Sequence, residues 1–397
     1  MRILLCNFEY PPLGGGGGVI SALLAGELAR RHDVTVLTSR ALGLPARSEA
    51  RRVRVVRVPT FFRRQQAVAN LPSMFAFMLT GIRWGRWLLA AEGHDVINTH
   101  FALPSGPVGD ALARHAGLPH VLTVHGGDIY DPSKLTSPHR HPALRLWIRR
   151  LAARADLVVG GSRDTLDNLQ RFYAPACRTT LIPLAIARPP RGAARRETYG
   201  FAADEVLLVT VGRLVRRKAV DQLVAMTGAL PGRRARLLVV GAGPEEGRLR
   251  EAAAAGGVAE RVCFLGQVEE AEKFHILRMA DVYVTTSQHE GFGLVFLEAM
   301  ACGLPIVAYD HGGQTDFLRD GETGFLAPLN DLAGFTERCA RLIADADLRR
   351  TLGARNLCGA ERFFIDACAR RYADAFAQVI QARAGQRVIA PLGALPV

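Results

Sequence analysis

Two doubly wound α/β domains, each a mostly parallel sheet covered by helices, are the architecture this sequence predicts, and three observations predict it. Short β-branched or leucine-rich runs alternate with helical patterns along nearly the whole length. The rhythm breaks once, at AIARPPRGAARRETYGF, residues 185–201, which is rich in proline and arginine and reads as a linker. A chain of 397 residues with 49% apolar and 22% charged residues can bury a core on either side of that break.

Before the break, strands are expected at 2–7, 34–38, 53–58, 96–99, 120–124, 157–160 and 180–182. After it they are expected at 206–211, 236–240, 262–265, 282–285, 305–308 and 324–326. A helix is expected at 20–31, directly after a glycine run, and helices from about residue 332 close the chain without another strand. The final GQRVIAPLGALPV has no periodicity and reads as a loose tail. The expected divisions are therefore a first domain at 1–184, a linker at 185–201, a second domain at 202–370, and a helix with a tail at 371–397, free to pack back on the first domain. Two such domains facing one another across a cleft fit the pattern better than any single sheet. No internal repeat at solenoid spacing is visible.

The formal charge of +13 favours an anionic partner: a nucleotide, a phospholipid surface or nucleic acid. Lys134, Lys218 and Lys273 are the only lysines, and the arginines flank apolar stretches rather than forming one run. Most of this charge is therefore solvated surface, and the aromatic-basic interleaving of an RNA-binding module is missing, which argues against nucleic acid. The seven cysteines are scattered, with no C-x-x-C and no His/Cys cluster at zinc spacing, so a reducing cytosol and a metal-free fold are expected. MRILLCNFEYPP has too short an apolar run for a secretory signal. The most apolar segment, 71–93, is interrupted by Arg83 and Arg86. It reads first as an amphipathic helix on a sheet, and second as a surface where Trp84, Trp87 and the arginines meet lipid headgroups.

In open α/β sheets ligands gather at the carboxyl ends of strands, where helix N-termini present unpaired N–H groups. Three segments fall there. PPLGGGGG follows the first strand, and the glycines at 14–18 let a phosphate approach the backbone. The spacing is not a clean G-x-G-x-x-G, and the next strand ends in LTSR without the acidic residue that holds a ribose, so a dinucleotide fold is weakened, although Arg40 would suit NADP. TVGRLVRRKAVDQLV brings Arg213 and Lys218 to the end of a strand, where two cations can neutralise a diphosphate without a metal, or can be ordinary solvated charges. QHEGFG leads into LVFLEAMACG, so the amides of Gly293, Leu294 and Val295 can hold a phosphate at a helix start. A carboxylate repels a phosphate. Glu298, about one turn into that helix, is placed to reach ribose hydroxyls, and Glu290, on the loop, to bind sugar hydroxyls or stabilise positive charge at a carbon losing its leaving group.

Together these residues resemble those of the retaining, GT-B-type glycosyltransferases of family 4. The similarity runs through EYPPLGGGGG, LTVHGGDIY, VGRLVRRKAVD, VVGAGPE, FLGQV and SQHEGFGLVFLEAMACGLPIVAYDHGGQTDFLRDGETGFL, the last carrying the family's E-x(7)-E pattern. The resemblance implies the GT-B fold, two Rossmann-like domains facing each other across a cleft, and transfer of a hexosyl unit from a UDP- or GDP-sugar to a glycan, lipid-linked or small-molecule acceptor. It implies no cofactor and no metal. By it, Arg213 and Lys218 bind the donor diphosphate, Gly291, Phe292, Gly293, Leu294 and Val295 line the donor site, Glu298 binds the ribose, and Glu290 lies at the transferred sugar. Gly15 and Gly16 take the place of the family's N-terminal glycine pair, and His125 that of the histidine lining the sugar site.

Two departures stand out. Leu184 and Ala185 replace a frequent asparagine-glycine pair, and GGQTDFL carries Thr315 and Asp316 where GG-x-x-E is commoner. Neither touches the diphosphate cations or the glutamate pair. With no carboxylate placed as a nucleophile, the resemblance favours same-face attack, the donor phosphate oxygen helping to take the acceptor proton. The acceptor is expected on the first domain, near His100 and Asp128 and the loops at 61–70 and 133–141, with His139 and His141 as further candidates. A cytoplasmic protein is expected, with room for peripheral contact at the inner membrane face. A sugar-nucleotide epimerase of the same architecture, an NADP-dependent reductase and a non-catalytic phosphoglycan-binding protein are the alternatives.

Overall fold

The computed structural model describes residues 1–41, 43–60, 70–192, 195–232 and 234–389. The expected acceptor loop at 61–70, except for Asn70, and residues 390–397 of the expected tail lie outside them. The chain divides into two compact units, Met1–Ala185 with the described residues from Ile365 on, and Ile186–Phe364.

In the first unit, β1 (Arg2–Asn7), β2 (Asp33–Arg40), β3 (Arg47–Ala50), β4 (Val53–Pro59), β5 (Val96–His100), β6 (His120–Val124), β7 (Leu157–Gly160) and β8 (Thr179–Leu181) form one sheet in the order β3-β4-β2-β1-β5-β6-β7-β8. Pairing is parallel except between β3 and β4. The polar RSEA of β3 was invisible as a strand because an edge strand with little burial needs no apolar alternation. Along β1, side chains alternate between two cores: Ile3 and Leu5 pack on one face, Leu4 and Cys6 on the other. The first face is covered by α1 (Gly16–Leu28) and, far along the chain, by the closing helix. The second is covered by α2 (Leu71–Ala91) and α3 (Ser105–Ala116), with α4 (Pro142–Arg154) and α5 (Arg163–Tyr173) continuing over β6 and β7.

Helix α2 starts at a reciprocal cap in which Asn70 Oδ1 accepts from Ser73 N–H at 2.8 Å. Phe77, Gly81, Gly85 and Leu88 line its buried face. A Cβ at Gly85 would lie 2.5 Å from Leu112, so glycine sets how closely α2 approaches α3. The packed-helix reading of 71–93 holds, yet Leu71, Phe75, Leu79, Trp84 and Trp87 remain on the outer surface.

In the second unit, β9 (Val206–Val211), β10 (Ala235–Val240), β11 (Val262–Gly266), β12 (Val282–Thr285), β13 (Ile306–Tyr309) and β14 (Gly324–Ala327) pair in parallel in the order β11-β10-β9-β12-β13-β14. Helices α6 (Val220–Ala229), α7 (Glu246–Ala255), α8 (Glu270–Met279), α9 (Leu294–Ala301), α10 (Leu332–Ala344) and α11 (Ala346–Ala360) complete the layers. In both sheets the direction of winding reverses, between β1 and β5 in the first and between β9 and β12 in the second. Reversal splays the two flanking loops apart at the carboxyl ends of their strands, which is where a doubly wound sheet opens a crevice.

Two expected boundaries move. The helix that closes the chain, α12 (Ile365–Ile389), begins before 370, and Cys368, Ala369, Tyr372, Phe376 and Val379 at helical spacing are buried in the first unit's core. Segment 185–201 is no free linker among its described residues. Ile186 N–H bonds Phe363 O at 3.0 Å, the Arg188 guanidinium lies 4.2 Å from the Phe364 ring centroid, and Arg196 pairs with Asp281 at 2.7 Å. Its arginines find partners along the second unit, which makes it a strap rather than a spacer.

Phe376 is fully buried between α12 and the first sheet. Phe376→Ala is expected to destabilise the first unit by ~3–5 kcal/mol in urea unfolding. A loss below about 1 kcal/mol would show that α12 is not part of this core.

Candidate functional site

At the reversal point of the second unit, β9 leads to Gly212 and a 3₁₀ turn, Arg216–Lys218, before α6, while β12 leads through residues 286–293 into α9. The two loops are tied together. Gln288 N–H bonds Arg217 O at 2.9 Å, Thr286 Oγ1 donates to Ala219 O at 2.8 Å, and the Arg217 guanidinium donates to His289 O. From the other side, Gly313 N–H bonds Glu290 O at 2.8 Å. A Cβ at Gly313 would lie 2.0 Å from Gly291 O and one at Gly312 2.7 Å from Glu290 O, so HGG of the β13 loop is glycine because the Glu290 loop rests on it.

Glu290 is the hub. Its Oε1 pairs with Lys218 Nζ and accepts from Ser287 Oγ at 2.8 Å, and its Oε2 lies 3.4 Å from Arg217 Nη1. Burial pushes this carboxyl up, but Lys218 and Arg217 outweigh it and hold the pKa at about 2. Glu290 is thus a fixed anion at neutral pH and not a proton donor. Lys218, expected on a diphosphate, has its ammonium on this carboxylate, whereas Arg213 is exposed and carries no ion pair or side-chain hydrogen bond among the described residues.

Helix α9 begins at Gly293, whose φ of +86° excludes most side chains, and no side chain caps it. The first-turn amides, those of Leu294 and Val295 included, therefore lack a side-chain acceptor. Phe292 differs from expectation. Its ring is buried against Phe317, with centroids 5.0 Å apart, and anchors the loop, so only its backbone is left for a ligand. Glu298 is 8% exposed. Its Oε1 pairs with Lys273 Nζ of α8 at 2.8 Å, while its buried Oε2 has no hydrogen-bond partner. Burial raises the Glu298 pKa against the pull of Lys273. An orphaned buried acceptor at a helix start is a place for a hydroxyl donor.

In the first unit the reversal point lies between the loops after β1 and β5. The glycine run is the first turn of α1 rather than a loop before it, with Gly15 as the cap and Gly16 as its first residue. Side chains do not fit there: a Cβ at Gly17 would lie 2.3 Å from the Phe101 ring, and one at Gly18 2.9 Å from Glu9 O. The amide of Gly15 already donates to Glu9 Oε2 at 3.3 Å, so an anion at this helix start must compete with a carboxylate. Phe101, at φ +73°, holds its ring 4.5 Å from that of His125.

His125, at the end of β6, contacts His100, with Nε2 to Nδ1 3.0 Å. His100, expected near the acceptor, is fully buried with both ring nitrogens on protein partners, Nδ1 on His125 and Nε2 on Asn98. Asp128 is likewise committed to the backbone: Oδ1 accepts from His125 N–H at 2.9 Å and Oδ2 from Ala102 N–H at 2.7 Å. Burial pushes its pKa up to about 6, against those hydrogen bonds. It clamps the β5 and β6 loops together. His139 lies tilted against Tyr130 and Phe172, and His141 meets Leu135 O at 3.0 Å, both just before α4.

Arg217, Lys273, Ser287, Phe101 and the Gly312–Gly313 pair were not read as functional from sequence. HGG was the only visible signal, a glycine pair directly after a strand. Lys273 sits in an unremarkable polar helix pattern, and nothing local marks it as the partner of a glutamate on another helix.

The family described as Glycosyl transferases group 1 matches residues 193–356, and the Glycosyl transferase 4-like domain matches residues 15–185. The chain is 31% identical to D-inositol 3-phosphate glycosyltransferase of Saccharomonospora viridis, over 91% of this chain and 90% of that protein. It is 32% identical to the GDP-mannose-dependent alpha-(1-6)-phosphatidylinositol monomannoside mannosyltransferase of Mycolicibacterium smegmatis, over 88% and 91% respectively. The solved structure of sucrose-phosphate synthase from Thermosynechococcus elongatus superposes with a TM-score of 0.84 at 26% identity, covering 96% of this chain and 100% of that one. These likenesses lend no support to the epimerase or reductase alternatives.

The electrostatics of Glu290 give a pH prediction. Its folded pKa of about 2 lies below the unbound value of 4.5, so the stability it contributes is present above pH 4.5 and is lost as pH falls toward 2. Glu290→Gln is expected to lower stability at neutral pH by up to ~3 kcal/mol. The gap from the parent should close on acidification in paired urea titrations; a pH-independent gap would contradict the ion pair.

Proposed function

Because the chain belongs to the group 1 glycosyl transferases, with the GT-B fold, we propose that it moves a hexosyl unit from a UDP- or GDP-sugar to an acceptor hydroxyl, with retention and without a metal. One observation carries this reading: at the reversal point of the second sheet, a cation turn is locked onto the loop that opens an uncapped helix. As the glycosidic C–O bond breaks, negative charge grows on the departing diphosphate. Arg213 and Lys218, with the amides of Gly293, Leu294 and Val295, form a preorganised receptor for it, where a single donor is typically worth ~3 kcal/mol in the transition state. The orphaned oxygen of Glu298 takes a ribose hydroxyl, and its pairing with Lys273 lowers the repulsion between that carboxylate and the phosphates.

Glu290, ionised and held by two cations, acts as a static negative group beside the sugar. It can stabilise an oxocarbenium-like carbon but has no proton to give the leaving group. With its pKa held at about 2 it is also too weak a base to take the acceptor proton, so that proton is assigned to a donor phosphate oxygen on the same face, the route the family resemblance favours, and this is why retention is proposed. For His125 and the N-terminal glycine turn of the first unit, a role in binding the transferred sugar is proposed on the family resemblance alone.

A panel of UDP-, GDP- and dTDP-sugars is expected to raise the melting temperature with at least one UDP- or GDP-sugar, and NADP to leave it unchanged. Turnover should survive chelation by EDTA, and the product's anomeric NMR coupling should match the donor's. Lys218→Met is expected to lower kcat by about a hundredfold or more. An inverted product excludes same-face attack.

The outer face of α2 favours a second element of this reading, contact with an anionic lipid surface. Phe75, Leu79, Trp84 and Trp87 are exposed together, Arg83 and Arg86 flank them, and the Arg47 guanidinium lies 5.1 Å from the Trp87 ring centroid. No helix among the described residues is long and apolar enough to cross a membrane. The protein is expected to sediment with phosphatidylglycerol vesicles at low salt, and Trp84→Ser with Trp87→Ser to remain in the supernatant. Equal sedimentation of both would exclude this face.

A further inference from the structure

Below His125 runs a buried hydrogen-bond line whose donors and acceptors can be assigned one by one. Asn98, fully buried on β5, donates from Nδ2 to Val121 O at 3.2 Å and to Thr123 Oγ1 at 3.1 Å. A backbone carbonyl only accepts, so the amide cannot be turned over without bringing two oxygens together. Asn98 Oδ1 therefore faces His100, 2.8 Å from Nε2, and that nitrogen must carry the proton. A neutral imidazole has one N–H, which leaves His100 Nδ1 as an acceptor. Its neighbour at 3.0 Å, His125 Nε2, must be the donor. The remaining nitrogen, His125 Nδ1, is then a bare lone pair, and it is buried with no hydrogen-bond partner.

Packing leaves little room for another arrangement. The Tyr372 ring of α12 stacks on His100 with centroids 6.3 Å apart and planes 23° from parallel, while Phe101 lies over His125. Asp128 holds the His125 amide. Burial keeps both imidazoles neutral, pushing His125 down to about 4 and His100 well below the usual imidazole range, the latter helped by the neighbouring His125. The competing charge state, in which His100 is an imidazolium donating to His125, would place an unpaired cation in a fully enclosed position.

We infer that Asn98 and His100 are positioning residues that fix His125 in its Nε2–H tautomer, so that Nδ1 presents a lone pair to a hydroxyl of the transferred sugar. A histidine so held accepts a hydrogen bond and cannot donate one from Nδ1. It selects a sugar with a hydroxyl at that position over its deoxy counterpart, because the deoxy sugar leaves the buried acceptor unsatisfied. Asn98 and His100 reach the ligand only through this tautomer. The identity of the hydroxyl donor rests on the transferase reading; the tautomer does not.

Long-range proton–nitrogen spectra of histidine-labelled wild-type protein at pH 7, assigned by loss of signals in His125→Asn, test the lock without any substrate. The expected pattern is a protonated Nε2 and an unprotonated Nδ1 in both rings' assigned roles: His125 and His100 each Nε2–H and neutral. An Nδ1–H tautomer of His125, or an imidazolium at either residue, overturns the proposal. His100→Phe keeps the stacked ring but removes the acceptor, and is expected to give averaged His125 nitrogen shifts and about a tenfold lower kcat/KM. His100→Gln, whose amide oxygen can accept from His125, should restore both. Unchanged His125 shifts in a folded His100→Phe protein overturn the proposal, and should that variant not fold, the wild-type spectra decide. Deoxy donor analogues read the ligand: one of them should bind without the change in His125 Nδ1 shift that the parent sugar causes, and no such analogue means no hydroxyl bond. Absence of turnover by the wild-type enzyme sinks the transferase reading and leaves the tautomer to the spectra.

Discussion

The second unit depends on one interaction, the clasp between Lys218 and Glu290. The two residues end neighbouring strands that belong to opposite windings of the same sheet, so the chain reaches one long after the other. An ammonium and a carboxylate this enclosed are each costly alone, and removing either leaves the other uncompensated. Mutual neutralisation lets the sequence keep both at the one crevice the topology opens. Arg217 and Ser287 finish the carboxylate's coordination, and Gly312 and Gly313 let its backbone settle onto the next loop.

In the proposed transferase reading, that clasp also explains how a site for a highly charged leaving group stands ready before the ligand arrives. Lys218 and Arg217 side by side would repel one another, and Glu290 offsets that repulsion while remaining unable to compete for protons at neutral pH. On the helix that follows, Glu298 pairs with Lys273 in the same way, and in the proposed reading the roles are exchanged: the carboxylate is the group that meets the ligand, and the lysine is its counter-charge. Pairing at both places leaves specific lone pairs and N–H groups free instead of whole charges. This favours a ligand that is part anion and part polyol.

Much of this was legible in the sequence. Strand positions followed from β-branched runs, because strands buried on both faces are mostly apolar, and the one strand missed, β3, is a polar edge strand with little burial. The glutamate pair and the cations after β9 were visible as residue types at strand ends. Their partners were not. Ion pairing between α8 and α9, or between the β9 and β12 loops, is a property of where helices land, and no local pattern in EEAEKFHILRM marks Lys273 as the counter-charge of Glu298. The strap at 185–201 was misread for the same reason: arginines and prolines look like a solvated spacer until their partners, Asp281 and Glu361, are placed beside them. Helix α12 was legible from Asp366 in DACARRYADAFAQVIQARA, one residue from its observed start, and only the division drawn at 370/371, which cut through it, was misplaced, because a helix's own pattern does not say which unit it packs on.

The first unit presents the opposite strategy. Where the second unit uses paired charges, the first buries neutral polar groups in a line, and its order comes from a single carbonyl, Val121 O, that cannot do anything but accept. Each step after it is forced: amide orientation, then the proton on His100, then the proton on His125. Charges could not be used here, since no counter-ion lies within this line and the surroundings are apolar side chains of two cores. A neutral relay costs less to bury, provided every group in it is satisfied. The one group that is not, His125 Nδ1, is the buried last atom of the line, on a ring that lies against Phe101, for which the glycine turn's missing side chains make room. A fully satisfied relay would be structural. This one stops a single hydrogen bond short, with its final acceptor fixed in direction and kind, and in the proposed reading the ligand supplies that last bond.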